Sequence, residues 1–365
     1  MIRRLLSHDL PRSRLLALLL IVIVAALALA PFVFPGTKAL NVAAKVLVFI
    51  VLVASYDLLL GYTGIVSFAH TMFFGIGAYG VAIACTRYGG NWGAVLGGSA
   101  AALVLSLILA LAIGLFSLRV RAIFYAMITL AVASAFQTLA SQLSDFTGGE
   151  DGLTFSPPEM LAPAFRLIED PVLGVEIGGK LVSYYLLFAA TVLLFLALLG
   201  IVNSLFGRVL QAIRENDFRA EAIGFRTVYY RTLSTMLSAA FATLAGCLLA
   251  LWLRYNGPDT SLSFEIMLDI LLIVVIGGMG TMYGAVVGSV VLLLAQSYLQ
   301  DLMKLLSGGV QALAPDLPVL AQLLSPDRWL LWLGLLFVLC VYFFPAGVVG
   351  RLRMGAALRR NAARG

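Results

Sequence analysis

The chain has 365 residues, 62% of them hydrophobic and 12% charged, with a formal net charge of +6 and a mean hydropathy of +1.03. Soluble domains run about 45–50% apolar and about 25% charged, so that class is excluded. Repeated apolar runs of about 20 residues mark a polytopic helical membrane protein instead, and the basic balance reads as topology rather than nucleic-acid binding, because the arginines sit in short loops beside apolar spans.

In chain order, a basic segment over 1–14 with Arg3, Arg4, Arg12 and Arg14 precedes an apolar run from Leu15 to Ala30. The end of that run, Ala28-Leu29-Ala30, resembles a secretory cleavage site. The run nevertheless continues through Pro31 to Phe34, so it is read as a retained first span. About ten transmembrane helices are expected, over 15–34, 40–60, 71–87, 93–117, 122–141, 181–203, 228–253, 264–280, 284–303 and 329–349. The run from Leu103 to Ile113 is apolar on every face, unlike the alternation of a β-barrel. The fold class is therefore all-α and polytopic: one membrane domain over 15–350, followed by a basic tail over 351–365. Cys85, Cys247 and Cys340 each stand alone in an apolar run and read as small core hydrophobes.

An even number of spans puts both termini on one side. If that side is cytoplasmic, the inner segments hold most of the 24 basic residues: besides the N-terminal four, they include Arg119 and Arg121, the group Arg208, Arg214, Arg219, Arg226 and Arg231, and the tail arginines from Arg351 onward. All four lysines fall on the other side. So does the acidic loop 142–180, which carries Asp145, Glu150, Asp151, Glu159, Glu169, Asp170 and Glu176 against Arg166 and Lys180. The positive-inside rule selects this orientation, with loop 204–227 cytoplasmic and loop 142–180 external. The external loop is either a docking surface or a solvated tether.

The glycine-rich segment from Gly61 to Gly80 contains Gly61, Tyr62, Gly64, Ser67, His70, Phe74, Gly75 and Gly77, and a second glycine cluster holds Gly277, Gly278 and Gly280. Such interruptions let backbones approach closely, and paired interruptions in two halves point to a translocation path. Plain helix packing is the alternative for each glycine. Asp57 and Asp269 lie in or at the edge of spans, where a carboxylate normally faces protein or water. Asp57 either reaches the headgroups or serves the path; Asp269 either serves the path or pairs with a group such as Arg254. His70, between Ser67 and Thr71, reads first as a hydrogen-bonded structural histidine and second as a solute contact. No clustering of ligands or nucleophiles suggests a catalytic residue or a metal site.

The loop GRVLQAIRENDFRAEAIG, Gly207 to Gly224, is the most polar stretch between spans. It suits one or two short helices with an apolar seam of Val209, Ala212, Ile213, Ala220 and Ile223, and with Gly224 as the stop. Its mixed charge, Arg208, Arg214 and Arg219 among Glu215, Asp217 and Glu221, favours protein docking over a lipid-bound helix, whose polar face is rich in Lys and Arg. This loop resembles the coupling loop of the permease subunits of bacterial branched-chain amino acid ABC importers. Four other segments resemble that family in the family's own order: GYTGIVSFAHTMFFGIGAY from Gly61, RAIFYAMITL from Arg121 with TGGEDGL from Thr147, GGMGTMYG from Gly277, and FPAGVVG from Phe344. The larger, M-type permease of the pair is the more similar. Ala69, Tyr283, Ala285 and Asp269 depart from the family's usual Gly, Trp, Pro and Glu.

The resemblance implies an ABC importer permease fold with a cytoplasmic coupling helix, in the bacterial inner membrane, with both termini cytoplasmic. It implies a homologous second permease, two ABC ATPase subunits that bind the ATP and Mg, and a periplasmic substrate-binding protein. No cofactor is expected on this chain, which lacks a nucleotide-binding G-x-x-x-x-G-K-[ST] loop. The run Leu306 to Gln311 is similar to the ABC ATPase signature, but on the external side it is coincidence. The coupling residues implied are Arg208, Ala212, Arg214, Glu215, Asn216, Asp217, Glu221, Ala222 and Gly224. A urea or short-amide importer of the same family, an ion-coupled secondary transporter and a non-transporting scaffold are the competing readings.

Overall fold

In hydrocarbon an unpaired backbone group costs several kcal/mol, so long apolar runs close their hydrogen bonds within themselves as helices. The computed structural model describes residues 14–34, 36–116, 122–163, 165–166, 178–313, 325–344 and 346–352. The N-terminal segment 1–13, Arg119, Arg121, the stretch 167–177, Pro345 and the tail beyond 352 lie outside the described residues.

The helices are α1 (Arg14–Val33), α2 (Thr37–Thr63), α3 (His70–Tyr88), α4 (Trp92–Phe116), α5 (Ala122–Gln142), α6 (Ser144–Thr147), α7 (Gly179–Asn203), α8 (Leu205–Glu215), α9 (Asp217–Ala222), α10 (Thr227–Leu253), α11 (Pro258–Ser261), α12 (Phe264–Gly277), α13 (Met282–Leu313) and α14 (Trp329–Phe343). Nine of the described helical stretches are long and apolar enough to cross a membrane. The remaining long helix, α3, coincides with the expected span 71–87. Its glycines, His70, Thr71, Thr86 and Arg87 lower its hydropathy. That composition is tolerated because α3 meets protein rather than lipid: it is buried along most of its length against α10 and α4.

The core runs along α2, which is buried on every side from Val46 to Leu59 and contacts α7, α10, α12 and α13. Helices α1, α5 and α14 are peripheral and turn large apolar side chains outward, among them Ile21, Ile123, Met127, Leu330 and Val338. Without a hydrophobic drive between helices in lipid, packing falls to small residues and hydroxyl bonds. Ser238 Oγ donates to the Ser55 carbonyl at 2.6 Å, Thr63 Oγ1 and Ser234 Oγ are 2.9 Å apart, and Thr243 Oγ1 donates to Ser106 Oγ at 2.6 Å, so α10 is fastened to α2 and α4.

The molecule has two distinct ends. At one, the C-terminus of α2, the turn between α12 and α13, and α8 converge. At the other, β1 (Leu153–Thr154) pairs antiparallel with β2 (Tyr255–Asn256). The loop after α5 is an ordered cap there, and its described part is not a solvated tether. Leu161 and Phe155 are buried, Arg254 Nη2 donates to the Leu161 carbonyl at 2.8 Å, and Tyr255 Oη donates to the Asp151 carbonyl at 3.1 Å. Glu150 and Asp151 remain exposed on this cap.

Candidate functional site

The segment after α7 folds as two short helices because each has its own N-cap. The Ser204 hydroxyl accepts from the Gly207 amide, and the Asn216 side chain accepts from the Arg219 amide at 3.0 Å. Asn216 is extended, so it ends α8 and starts α9 at one residue. Gly224, with φ of 96°, stops the second helix. Leu210, Ile213 and Ala220 face the bundle, and Val209 and Ala212 are half-buried beside them. Ile223 does not join this seam: it is 72% exposed, as Phe218 is at 87%. The sequence pattern misplaces it because Asn216 breaks the helical period before Ile223 is reached. Asp217 pairs with Arg231 at 2.8 Å and Glu221 accepts from Thr227 Oγ1 at 2.6 Å, which fixes α9 to the start of α10. Arg208, Glu215, Asn216, Glu221, Ala222 and Gly224 are exposed, and Asp217 is half-buried.

Arg214 is exposed overall, but its side chain reaches back to the bundle. Its stem lies over Gly64, and its guanidinium donates to the Gly61 carbonyl and lies against Gly280. Gly280 in turn donates its amide to Asp57 Oδ1 at 2.9 Å. Four groups from three parts of the chain thus meet: α8, the end of α2, and the turn between α12 and α13. Asp57 does not reach toward headgroups; it is 2% exposed and spends one oxygen on that amide. Only glycine fits position 61, where a Cβ would lie 2.1 Å from the Asp57 carboxylate and 2.4 Å from the Gly280 nitrogen. Gly280 itself has φ of 77°, a backbone that side chains rarely adopt.

The other candidates are packed against neighbouring helices. His70 Nε2 lies 2.9 Å from Ser55 Oγ and 3.2 Å from the Leu52 carbonyl, while Ser55 Oγ donates to the same carbonyl at 2.7 Å. With the serine proton used there, Nε2 carries the hydrogen and His70 is a donor to both. Ser67 accepts from the Ala69 amide at 3.4 Å, and Tyr62 is buried. A Cβ on Gly75 would meet Leu262, one on Gly77 the Thr243 carbonyl, one on Gly277 the Gly284 carbonyl and one on Gly278 the Ala346 carbonyl.

Phe74 and Asp269 differ, because both line a cavity of about 520 Å³ at the end opposite Arg214. Asp269 accepts from Gln296 Nε2 at 2.7 Å, not from Arg254, whose guanidinium is turned to Leu161. Sequence reasoning missed the opposite wall of this cavity. The charge pattern groups Lys45 with the external lysines, yet it lies eight residues inside α2. A lysine at that depth in an apolar span was the available signal.

Compared with known proteins, residues 38–344 match the family described as branched-chain amino acid transport system / permease component. The chain is 27% identical over 293 residues to the high-affinity branched-chain amino acid transport system permease protein LivM of Salmonella typhimurium, covering 75% of this chain and 67% of that one. It is 24% identical over 345 residues to the protein of the same name from Escherichia coli, covering 89% and 73%. No solved structure matches the chain.

Proposed function

The chain belongs to the branched-chain amino acid transport permease family, a multi-pass membrane component of ABC importers, and from that premise we propose that α8 and α9 are its coupling element, gripped from the cytoplasm by a separate ATPase. ATP and Mg belong to two such partner subunits, a second homologous permease completes the path, and a periplasmic binding protein delivers the solute. Both termini are cytoplasmic in this reading, which is supported by the arginine-rich loop at one end of the bundle and the acidic cap at the other.

The observation that carries the proposal is the inward bond of Arg214. The α8–α9 pair, which offers exposed Phe218 of α9 and Ile223 at its end to a partner, also holds the Gly61 carbonyl and touches Gly280 through Arg214 of α8. Displacement of α8 therefore acts on α2 and on the α12–α13 turn together. Elements with two discrete packings convert such small shifts into inward- and outward-open states.

The test is uptake and ATP hydrolysis by the assembled transporter in proteoliposomes, with Arg214 and Glu215 both changed to Ala. The expected outcome is an uptake rate down by about tenfold or more, the effect of losing a charge-assisted bond of about 1.5–3 kcal/mol, with hydrolysis retained. Unchanged uptake per ATP would sink the proposal.

A further inference from the structure

The 520 Å³ cavity lies within the range of about 300–1,000 Å³ typical of small-molecule sites. One wall is the first half of α2, where Lys38, Val42, Lys45 and Phe49 recur on one helical face. The facing wall is the start of α12, where Glu265 and Asp269 stand one turn apart. The floor is apolar: Phe74 is fully buried, and Leu249 and Trp252 close it from α10.

The charges are not equivalent. Lys38 is held by Asp301 at the rim. Lys45 is in no ion pair among the described residues; its ammonium lies 5.3 Å from the Phe49 ring centre, and it is a charged neighbour of Asp269. Asp269 has one oxygen on Gln296, which orients the carboxylate. A cation thus faces an anion across a pocket whose depth is aromatic and aliphatic.

We propose that this cavity is a binding site for a zwitterionic α-amino acid with an apolar side chain. The solute carboxylate meets Lys45, its ammonium meets Asp269 with Glu265 behind, and its side chain lies on Phe49, Phe74 and Trp252. An uncharged solute such as urea has no use for this arrangement, since it offers neither a carboxylate to the exposed Lys45 nor an ammonium to the half-buried Asp269. The inference rests on the importer reading above, which makes this end the one that receives solute. It goes further by naming the residues and the chemistry they select. About 16 residues of α2, some 24 Å at 1.5 Å per residue, separate Lys45 from Gly61, so one rigid helix joins this site to the coupling junction.

The test uses the complete transporter in nanodiscs, with Val42→Cys introduced at the cavity wall as a reporter. L-Leucine is expected to slow thiol modification of that cysteine, whereas 4-methylpentanoate, isoamylamine and urea, each lacking one or both charges, are not. Lys45→Met and Asp269→Asn should each weaken the protection by about tenfold or more, as expected for loss of one charged partner, while Asp301→Asn at the rim leaves it intact. Protection by urea alone, or protection by leucine that neither Lys45→Met nor Asp269→Asn weakens, overturns the site. A wild-type assembly that shows leucine protection but no ATP-driven uptake would instead tell against the importer reading and leave the site standing.

Discussion

At the scale of single residues, contact distances separate glycines that look alike in sequence. A Cβ at position 77 would stand 1.9 Å from the Thr243 carbonyl oxygen, on the backbone of a neighbouring helix that cannot yield cheaply, whereas a Cβ at Gly97 would meet nothing within 4 Å. Gly77→Ala should therefore destabilise the protein by about 1–3 kcal/mol, the usual cost of overpacking, and lower its melting temperature in detergent; Gly97→Ala should leave it unchanged. Equal melting of the two variants would mean that α3 and α10 are not packed as described. The sequence marks Gly77 within the glycine-rich segment but not what it meets, because the atom that Gly77 approaches lies in a helix 166 residues away in the chain. His70 was more legible. A lone histidine among Ser and Thr in an apolar run had to find hydrogen bonds, and it does so with Ser55 and Leu52. Which hydroxyl it would find was not readable, since Ser67 and Thr71 are closer in sequence than Ser55.

At the scale of elements, the turn between α12 and α13 is held by a bond that any side-chain oxygen at position 57 can supply. Asp57 accepts the Gly280 amide, so Asp57→Asn keeps an acceptor in place, while Asp57→Leu leaves a buried N–H unpaired at a cost of about 1–3 kcal/mol. Transport by the reconstituted complex should survive Asp57→Asn within a fewfold and fall steeply with Asp57→Leu. Loss with both substitutions would favour a carboxylate that carries protons, as in an ion-coupled transporter. The elements themselves were legible because bilayer thickness sets helix length: the expected spans agree with most helices to within three residues, but α13 runs ten residues past the expected end at 303 and α14 stops six short of 349. Two features were not. The strands β1 and β2 are two residues each, too short for any alternation to register, and the break at Asn216 depends on a cap rather than on hydrophobic period. That break leaves Ile223, which the sequence pattern assigned to the apolar seam, exposed beside Phe218 at the end of α9.

At the scale of the whole molecule, the two ends differ in charge, and that difference sets which of them faces the cytoplasm. Residues 204–227 and the Gly61–Gly280 junction share one end, and the 144–161 cap shares the other with the charged cavity. The sidedness of that axis rests on charge alone, and many of the arginines that set it lie in the segments 1–13 and 353–365. Single cysteines can read it directly. Cys85 and Cys247 are buried and Cys340 is half-buried, so a background with all three replaced is suitable. On that background Ile223→Cys (72% exposed) and Met160→Cys (57% exposed) report the two ends. A membrane-impermeant maleimide should label Met160→Cys in spheroplasts and Ile223→Cys only in inverted vesicles. The reverse pattern would put the coupling element outside, beyond the reach of any cytoplasmic ATPase, and the cavity inside. Then the bond between Arg214 and Gly61 could not transmit ATP-driven movement, and the arginines of loop 204–227 would have to be explained by something other than retention on the cytoplasmic face.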